Sequence, residues 1–365
     1  MKKAAVDAHA FADAMSKVSK ALKKSAFPIL GEIAVSIEDD RCTLTATDLG
    51  TWLVAELPAQ GDDMSFVFHR TKDILKACAC LEGEMEITLR GEEETHAKNW
   101  KLELCCGRRR AEFAVTSRED YPDCPSVEGN TPVRVNAAEL FQRIERVRYA
   151  AEKGDPDKRP RVTCIQFQGD RVFSLDGYRM ACDAQPEVTF PAPFLAHEES
   201  LAHLKAFGDS EITVEIGAYK VSFSSDALKL IVRRYGADTF DLDASLPKIY
   251  QEVITARTDE LIREVTYLKG CAGNAAAPYV RFAGEELSVN LPAGHFATNV
   301  SLSGRGELTI GFDLRYMLEA LKQFRKEPEV RLKLSGRYSP IVIEAEGRSD
   351  FALVLPVRLR EESAA

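Results

Sequence analysis

Four lysines near the N-terminus, Lys17, Lys20, Lys23 and Lys24, recur at spacings of three and four, with only Asp13 opposing them. On a helix that spacing makes a basic stripe, a surface suited to phosphates and not to base edges. Sulfur and imidazole chemistry is harder to assemble. The nine cysteines, at 42, 78, 80, 105, 106, 124, 164, 182 and 271, are odd in number, and Met1–Lys17 lacks the apolar core of a secretory signal. Both features argue for reduced thiols and a cytoplasmic protein. Cys78-Ala-Cys80 and Cys105-Cys106 lack zinc-ribbon spacing, so small buried hydrophobes are the better reading. The histidines at 9, 69, 96, 197, 203 and 295 are scattered, and His197 and His203, six apart, fall on different helix faces. No HExxH, GxSxG or phosphate-loop pattern is present. Asp176-Gly177 has a catalytic look, but a tight turn accounts for it more simply. The expectation is therefore a protein without a catalytic set, a metal or a cofactor.

The elements that must carry these residues follow from pattern and repetition. The 365 residues suffice for two or three domains, and 45% apolar with 29% charged residues is the balance of a folded soluble protein. The longest stretch free of Asp, Glu, Lys and Arg, Leu287 to Gly304, contains Pro292, Gly294 and two asparagines and is no membrane span. A strand opening recurs three times: EGEMEITL from Glu82, GDSEITV from Gly208 and KEPEVRL from Lys326. Glu86, Glu211 and Glu329 are the expected equivalents. Each follows a helix-like segment, 70–82, 197–208 and 313–326, and in the last Leu314, Met317, Leu318 and Leu321 make one apolar stripe. A second helix is expected over 10–25, 136–153 and 258–270, with Asn136 and Thr258 as N-caps and Glu139 at capping-box distance. Turn-rich stretches at 120–132 and 244–248 divide the chain into units of residues 1–124, 130–246 and 248–365.

Charge is divided unevenly between these elements. The helical segments hold 18 Lys and Arg against 13 Asp and Glu, whereas the chain as a whole carries −9. The acidity lies off the helices. A protein held on nucleic acid by bulk charge is excluded, but a local basic face is not.

The residues resemble a known family, the bacterial sliding clamps, the beta subunits of DNA polymerase III. The similarity runs through Phe27-Pro28-Ile29-Leu30, Thr45-Ala46-Thr47-Asp48-Leu49, Ser174 to Ala181, Ile310 to Leu318 and the closing Val354-Leu355-Pro356-Val357-Arg358-Leu359. The resemblance implies an α+β protein of three repeated DNA-clamp domains. Antiparallel sheets lie outside, two helices per domain line the inner face, and two chains join head to tail in a ring. Twelve helices spaced ~10 Å apart enclose a hole of ~28 Å, wide enough for duplex DNA roughly 20 Å across. The DNA-facing residues expected are Lys17, Lys20, Lys23, Lys24, Arg70, Lys72, Arg143, Arg146 and Lys322. The partners implied are double-stranded DNA, held topologically and without sequence preference, and the replicative polymerase, clamp loader and other proteins, which bind by linear peptides.

The resemblance places the peptide site on Val162, Leu175, Gly177, Tyr178, Arg179, Met180, Asp313, Tyr316, Tyr338, Pro340, Leu353, Val354, Leu355, Pro356, Val357 and Arg358. Several positions depart from the family. Leu175 stands for Thr, Tyr178 for His and Asp313 for Asn, and Phe240-Asp241-Leu242-Asp243-Ala244 replaces Pro-Asp-Tyr-Arg-Arg. These departures predict a more acidic rim and a different peptide preference. They also sustain an alternative, a diverged clamp-like interaction module that does not encircle DNA. The tail Arg360–Ala365 extends past the family's usual end and is expected to be disordered.

Overall fold

The computed structural model describes residues 1–91, 100–129, 131–236, 238–273, 279–292, 294–304 and 306–359. The tail at 360–365 and His96 lie outside the described residues. The chain forms two compact units, Met1–Phe141 with Glu199–Arg234 and Gln142–Glu198 with Tyr235–Ala365. The first unit is built on a twelve-stranded sheet, the second on sheets of nine and four strands, and the strands pair antiparallel throughout. The helices are α1 (Ala8–Val18), α2 (Thr71–Cys78), α3 (Ala137–Val147), α4 (Pro160–Thr163), α5 (Glu198–Leu201), α6 (Leu242–Ser245), α7 (Thr258–Ala272) and α8 (Leu314–Gln323). Among the described residues no helix is long and apolar enough to cross a membrane.

One local arrangement recurs three times. Strand Lys2–Asp7 pairs with Glu84–Arg90, Val133–Asn136 with Glu211–Ile216, and Glu252–Arg257 with Glu329–Leu334. In each pair the residue that precedes a helix, Asp7, Asn136 or Arg257, faces the first residue of the partner strand. The first helical N–H then donates to the residue before that strand: Ala8 to Gly83 at 2.8 Å, Ala137 to Ser210 at 2.9 Å and Thr258 to Pro328 at 3.0 Å. One of the four orphan donors of each helix start is satisfied in the same way. The register corrects one expectation: the equivalent of Glu211 and Glu329 is Glu84, not Glu86. Side chains alternate with a period of two, so a two-residue slip leaves the pattern unchanged.

The helices follow their apolar stripes. Phe11, Met15 and Val18 of α1 are buried, and α1 packs on strands Arg41–Thr47 and Thr51–Gly61 and on α2. In α8 the four stripe residues are buried, and α8 packs on α7. Three helix expectations need correction. Over 10–25, α1 stops at Val18; one tight turn, Ser19–Ala21, follows, and Leu22 is extended. At Ser19 the backbone N–H still reaches the Met15 carbonyl, and its Oγ bonds to Ser16 O. Over 197–208 only α5 is α-helical, and Ala202–Phe207 winds as 3-10 turns. Leu201, Leu204 and Phe207, all buried, are three apart, and three residues per turn puts them on one face. Asn136 does cap α3, its Oδ1 accepting from the Glu139 N–H at 3.1 Å, but Thr258 is already inside α7 and its hydroxyl is buried without a partner.

Arg143 is corrected as well. Expected to face DNA, it is 2% exposed. Its Nε donates to Asp183 Oδ1 at 3.1 Å and its Nη2 to the carbonyls of Asp170 and Asp183 at 2.6 and 3.1 Å. Arg146 reaches the other oxygen of the same carboxylate at 2.8 Å. A fully buried carboxylate needs this compensation, because an unpaired charge in the interior is costly. Replacing Arg143 with Ala is expected to lower the unfolding free energy by about 3 kcal/mol, measured by urea denaturation.

Candidate functional site

The predicted peptide-site residues gather within the second unit. Strand Arg171–Leu175 turns through Asp176-Gly177-Tyr178 into strand Arg179–Ala184, which pairs with Asp350–Val354 so that Arg179 faces Val354 and Met180 faces Leu353. Asp176 builds the turn. Its Oδ1 accepts from the N–H groups of Tyr178 at 2.9 Å and Arg179 at 3.1 Å, and its backbone N–H donates to Arg179 O at 3.3 Å. Gly177, at φ 88°, occupies the left-handed position that a side chain would strain. The Leu355 N–H donates to Tyr178 O at 2.9 Å and fixes the C-terminal strand against the turn.

This turn lifts Tyr178 out of the sheet. It is 60% exposed, and its ring stacks on Tyr316 of α8 with centroids 5.6 Å apart and planes at 11°. The Arg179 guanidinium lies 5.0 Å from the Tyr316 ring and 5.5 Å from the Tyr149 ring, close enough for cation–π attraction. It is ion-paired to Asp176 at 3.0 Å and to Glu319. Burial works against its charge, but the hydrogen bond to Glu319 and the two nearby carboxylates outweigh it, and its pKa is raised. Beside the turn lies an apolar floor of Phe173, Leu175, Met180, Cys182, Leu242, Val342 and Leu353, with Val162, Phe240 and Tyr250 packed half-buried against it. Tyr338, Leu355 and Arg358 are exposed; Pro340, Pro356 and Val357 are half-buried. Val354 is fully buried and belongs to the hydrophobic cluster that also holds Leu314, Met317 and Leu318 of α8. Asp313 is also buried; its carboxylate caps α8 through the Arg315 N–H at 2.8 Å and pairs with the Arg315 side chain at 2.6 Å.

Pattern reading left out Tyr149, Asp176, Glu319 and Leu242. Glu319 lies three residues past Tyr316 on one face of α8, a spacing that could have identified it. Asp176 was legible as a turn residue from the Asp-Gly pair, whereas the places of Tyr149 and Leu242 become visible only through tertiary packing. The acidic rim expected from the departures is not free. Asp243 pairs with Arg171 at 2.8 Å, and Asp241 accepts from the Ala244 N–H at 3.0 Å to cap α6. Leu242, between them, turns into the apolar floor.

The basic residues fall less evenly. Lys20, Lys24, Lys72 and Lys322 are exposed. Lys17 pairs with Asp13 at 2.8 Å, and Arg70 with Asp73 at 2.7 Å. Lys23 bridges Asp48 at 3.0 Å and Glu199 at 3.1 Å; burial opposes its charge, but the two acceptors prevail and raise its pKa. Lys23 and Lys24 lie past the end of α1 and do not extend a helical stripe. The buried thiols of Cys42, Cys78 and Cys182 are pushed up to about 12 by desolvation and stay protonated. Among the described residues no three His, Cys, Asp or Glu side chains are gathered as a metal ion requires.

Residues 3–125 match the family model for the N-terminal domain of the DNA polymerase III beta subunit, and residues 245–358 match that for its C-terminal domain. The chain belongs to the DNA polymerase III beta-subunit family. It is similar along its length to the beta sliding clamps of Vibrio cholerae, 23% identical over 92% of this chain and 94% of that one, and Escherichia coli K12, 24% over 91% and 93%. Its fold is that of the beta subunit from Thermotoga maritima, with a TM-score of 0.82 at 22% identity, covering 99% of this chain and all of that one. The Streptococcus pyogenes beta subunit gives 0.84 at 19% identity, covering 98% and 100%. In this beta-subunit chain the turn at Asp176 rests on one carboxylate. Asp176→Ala is expected to destabilise the protein by about 1–3 kcal/mol. Asp176→Asn, which keeps the Oδ1 acceptor, should cost clearly less in the same thermal and urea melts.

Proposed function

We propose that the protein is a sliding clamp of the bacterial cytoplasm, a non-catalytic processivity factor that encircles duplex DNA and tethers a replicative polymerase. Its three repeats, 1–124, 130–246 and 248–365, act as clamp domains, and two chains close head to tail. The observation that carries this reading is the threefold strand–helix closure in a chain of this family, each copy starting a helix from the same backbone frame. Exposed Lys20, Lys24, Arg70, Lys72 and Lys322 supply loose phosphate contacts, and a protein retained by topology needs no tight grip. Arg143 takes no part, and Arg146 contributes only what its pairing with Asp183 leaves.

The surface around Tyr178, Tyr316 and the apolar floor takes linear peptides from the polymerase, the clamp loader and other partners. The exposed Tyr178 ring, stacked on half-buried Tyr316 beside a buried apolar cluster with half-buried residues packed on it, is a suitable seat for leucine- or phenylalanine-sized anchors. Paired carboxylates at the rim keep it from repelling an acidic peptide as strongly as free ones would.

Sedimentation should give a mass near twice 40.5 kDa, and the loaded protein should stay on circular DNA in high salt and run off linear ends. A stable monomer would favour the interaction module that does not encircle DNA. Changing Lys20 and Lys24 to Glu, which leaves the Lys23 ion pairs intact, should impair loading or sliding in a processivity assay without changing partner-peptide binding. Conversely, Arg179→Ala with Leu355→Ala should weaken partner-peptide binding at least about tenfold, read by fluorescence anisotropy, while the dimer persists.

A further inference from the structure

The backbone frame of the Tyr178 site occurs a second time, wholly within the first unit. Asp48 Oδ1 accepts from the N–H groups of Gly50 at 3.0 Å and Thr51 at 2.7 Å, and the Asp48 N–H donates to Thr51 O at 3.2 Å. The Arg233 N–H donates to Gly50 O at 2.9 Å, as the Leu355 N–H donates to Tyr178 O. Thr51 faces Val232 and Trp52 faces Ile231, as Arg179 faces Val354 and Met180 faces Leu353. The left-handed residue is Leu49 at φ 69°, half exposed, where the other turn has Gly177 at φ 88°. A branched side chain held in that region stores strain, which recurs at functional sites.

The side chains on this second frame differ in chemistry. Following the registers, Trp52 replaces Met180, Ser222 replaces Val342 and Lys220 replaces Pro340. Of these three, Lys220 also lines an open cleft of about 360 Å³, walled by Pro125–Glu128 on one side and by Gly217–Lys220 on the other. The walls are locked together: a Cβ on Gly217 would come within 3.0 Å of Val127 Cγ1 and 3.1 Å of Lys220 O. The Lys220 ammonium sits 4.0 Å from the Trp52 ring centroid, and Tyr219 stands 81% exposed beside it. The Trp52 Nε1 and Ser222 Oγ are buried with no hydrogen-bond partner. Burial lowers the Lys220 pKa, and the neighbouring Cys124 offsets this in part.

We propose that this cleft is a second partner site, taking a short linear peptide through one acidic side chain. The Lys220 ammonium, positioned by the buried indole of Trp52, pairs with the incoming carboxylate, and the exposed Tyr219 ring seats a flanking residue. Glu128 on the facing wall repels a second acid, so a single carboxylate is selected. The choice of a peptide as occupant rests on the partner reading of the Tyr178 site; the acidic requirement rests on Lys220 and Trp52.

The test is to select a random heptapeptide display library on the full-length protein, then measure each enriched peptide on Lys220→Met, Lys220→Glu and the Arg179→Ala, Leu355→Ala double variant. The expected result is a class containing Asp or Glu that binds the wild type and the double variant alike. That class should bind Lys220→Met about tenfold more weakly or worse, and Lys220→Glu more weakly still. If all enriched peptides depend on Arg179 and Leu355 and none on Lys220, the second site is overturned and the first stands. Lys220-dependent peptides without an acidic residue would overturn the assigned chemistry, and a failure to enrich any peptide would overturn both sites. Lys220→Met keeps the aliphatic stem on Trp52, so it decides the matter if the charge reversal melts early.

Discussion

The fold depends on how a strand hands over to a helix. In each repeat the helix begins one residue after a strand whose last residue is pinned opposite the start of a distant strand, and the first helical amide is already bonded there. Helix nucleation costs several backbone dihedrals for one hydrogen bond. Supplying that first bond from a paired strand lowers the cost and sets where the helix starts. The apolar stripe then has one possible direction, toward the sheet, and the charged residues of α1, α2 and α8 remain outside. Basic residues on those outer faces, in a chain that is acidic overall, therefore follow from the strand–helix closure together with the side-chain pattern.

Charge inside the molecule obeys a stricter rule than charge outside. Asp183, fully buried, is held by two arginines, and Arg179, one-tenth exposed, by two carboxylates and two aromatic rings. Such sets add little net stability over an apolar core, but removing one member leaves a stranded charge. Around Arg179 the effect is one of position. The ion pairs fix the guanidinium, the guanidinium fixes the Tyr316 face, and Tyr178 stacks on it while staying exposed. An exposed ring such as Tyr178 would otherwise sample several rotamers, and stacking on the half-buried Tyr316 restricts it.

How much of this was legible in the sequence depended on range. The α8 stripe, the Asn136 cap and the Asp176-Gly177 turn are set by neighbours within a few residues, and all three form as their patterns imply. Arg143 failed because its role is decided by Asp183, forty residues on, and a helical arginine looks the same whether it meets solvent or a buried carboxylate. Glu86 was mistaken for Glu84 because a pleated strand hides a two-residue slip. The roles of the rim acids were hidden for a related reason: composition counts Asp241 and Asp243 as charges, whereas the fold also uses one as a cap and pairs the other with Arg171. The apolar floor was only partly visible, since Phe173 and Leu242 read as ordinary core or loop until the Asp350–Val354 strand is paired beside Arg179–Ala184.

The second frame escaped the sequence for the most instructive reason. Asp48-Leu49-Gly50 and Asp176-Gly177-Tyr178 place their glycines one residue apart, so no motif aligns them. Their hydrogen bonds nevertheless correspond one for one. What recurs is a set of backbone bonds anchored on one carboxylate, and these constrain the neighbouring side chains hardly at all. A repeat protein can therefore keep its frame while exchanging methionine, valine and proline for tryptophan, serine and lysine at matched positions. Affinity for an apolar anchor and affinity for an acid can then diverge without either change disturbing the sheet, because register is fixed by the backbone ladder and recognition by what projects from it.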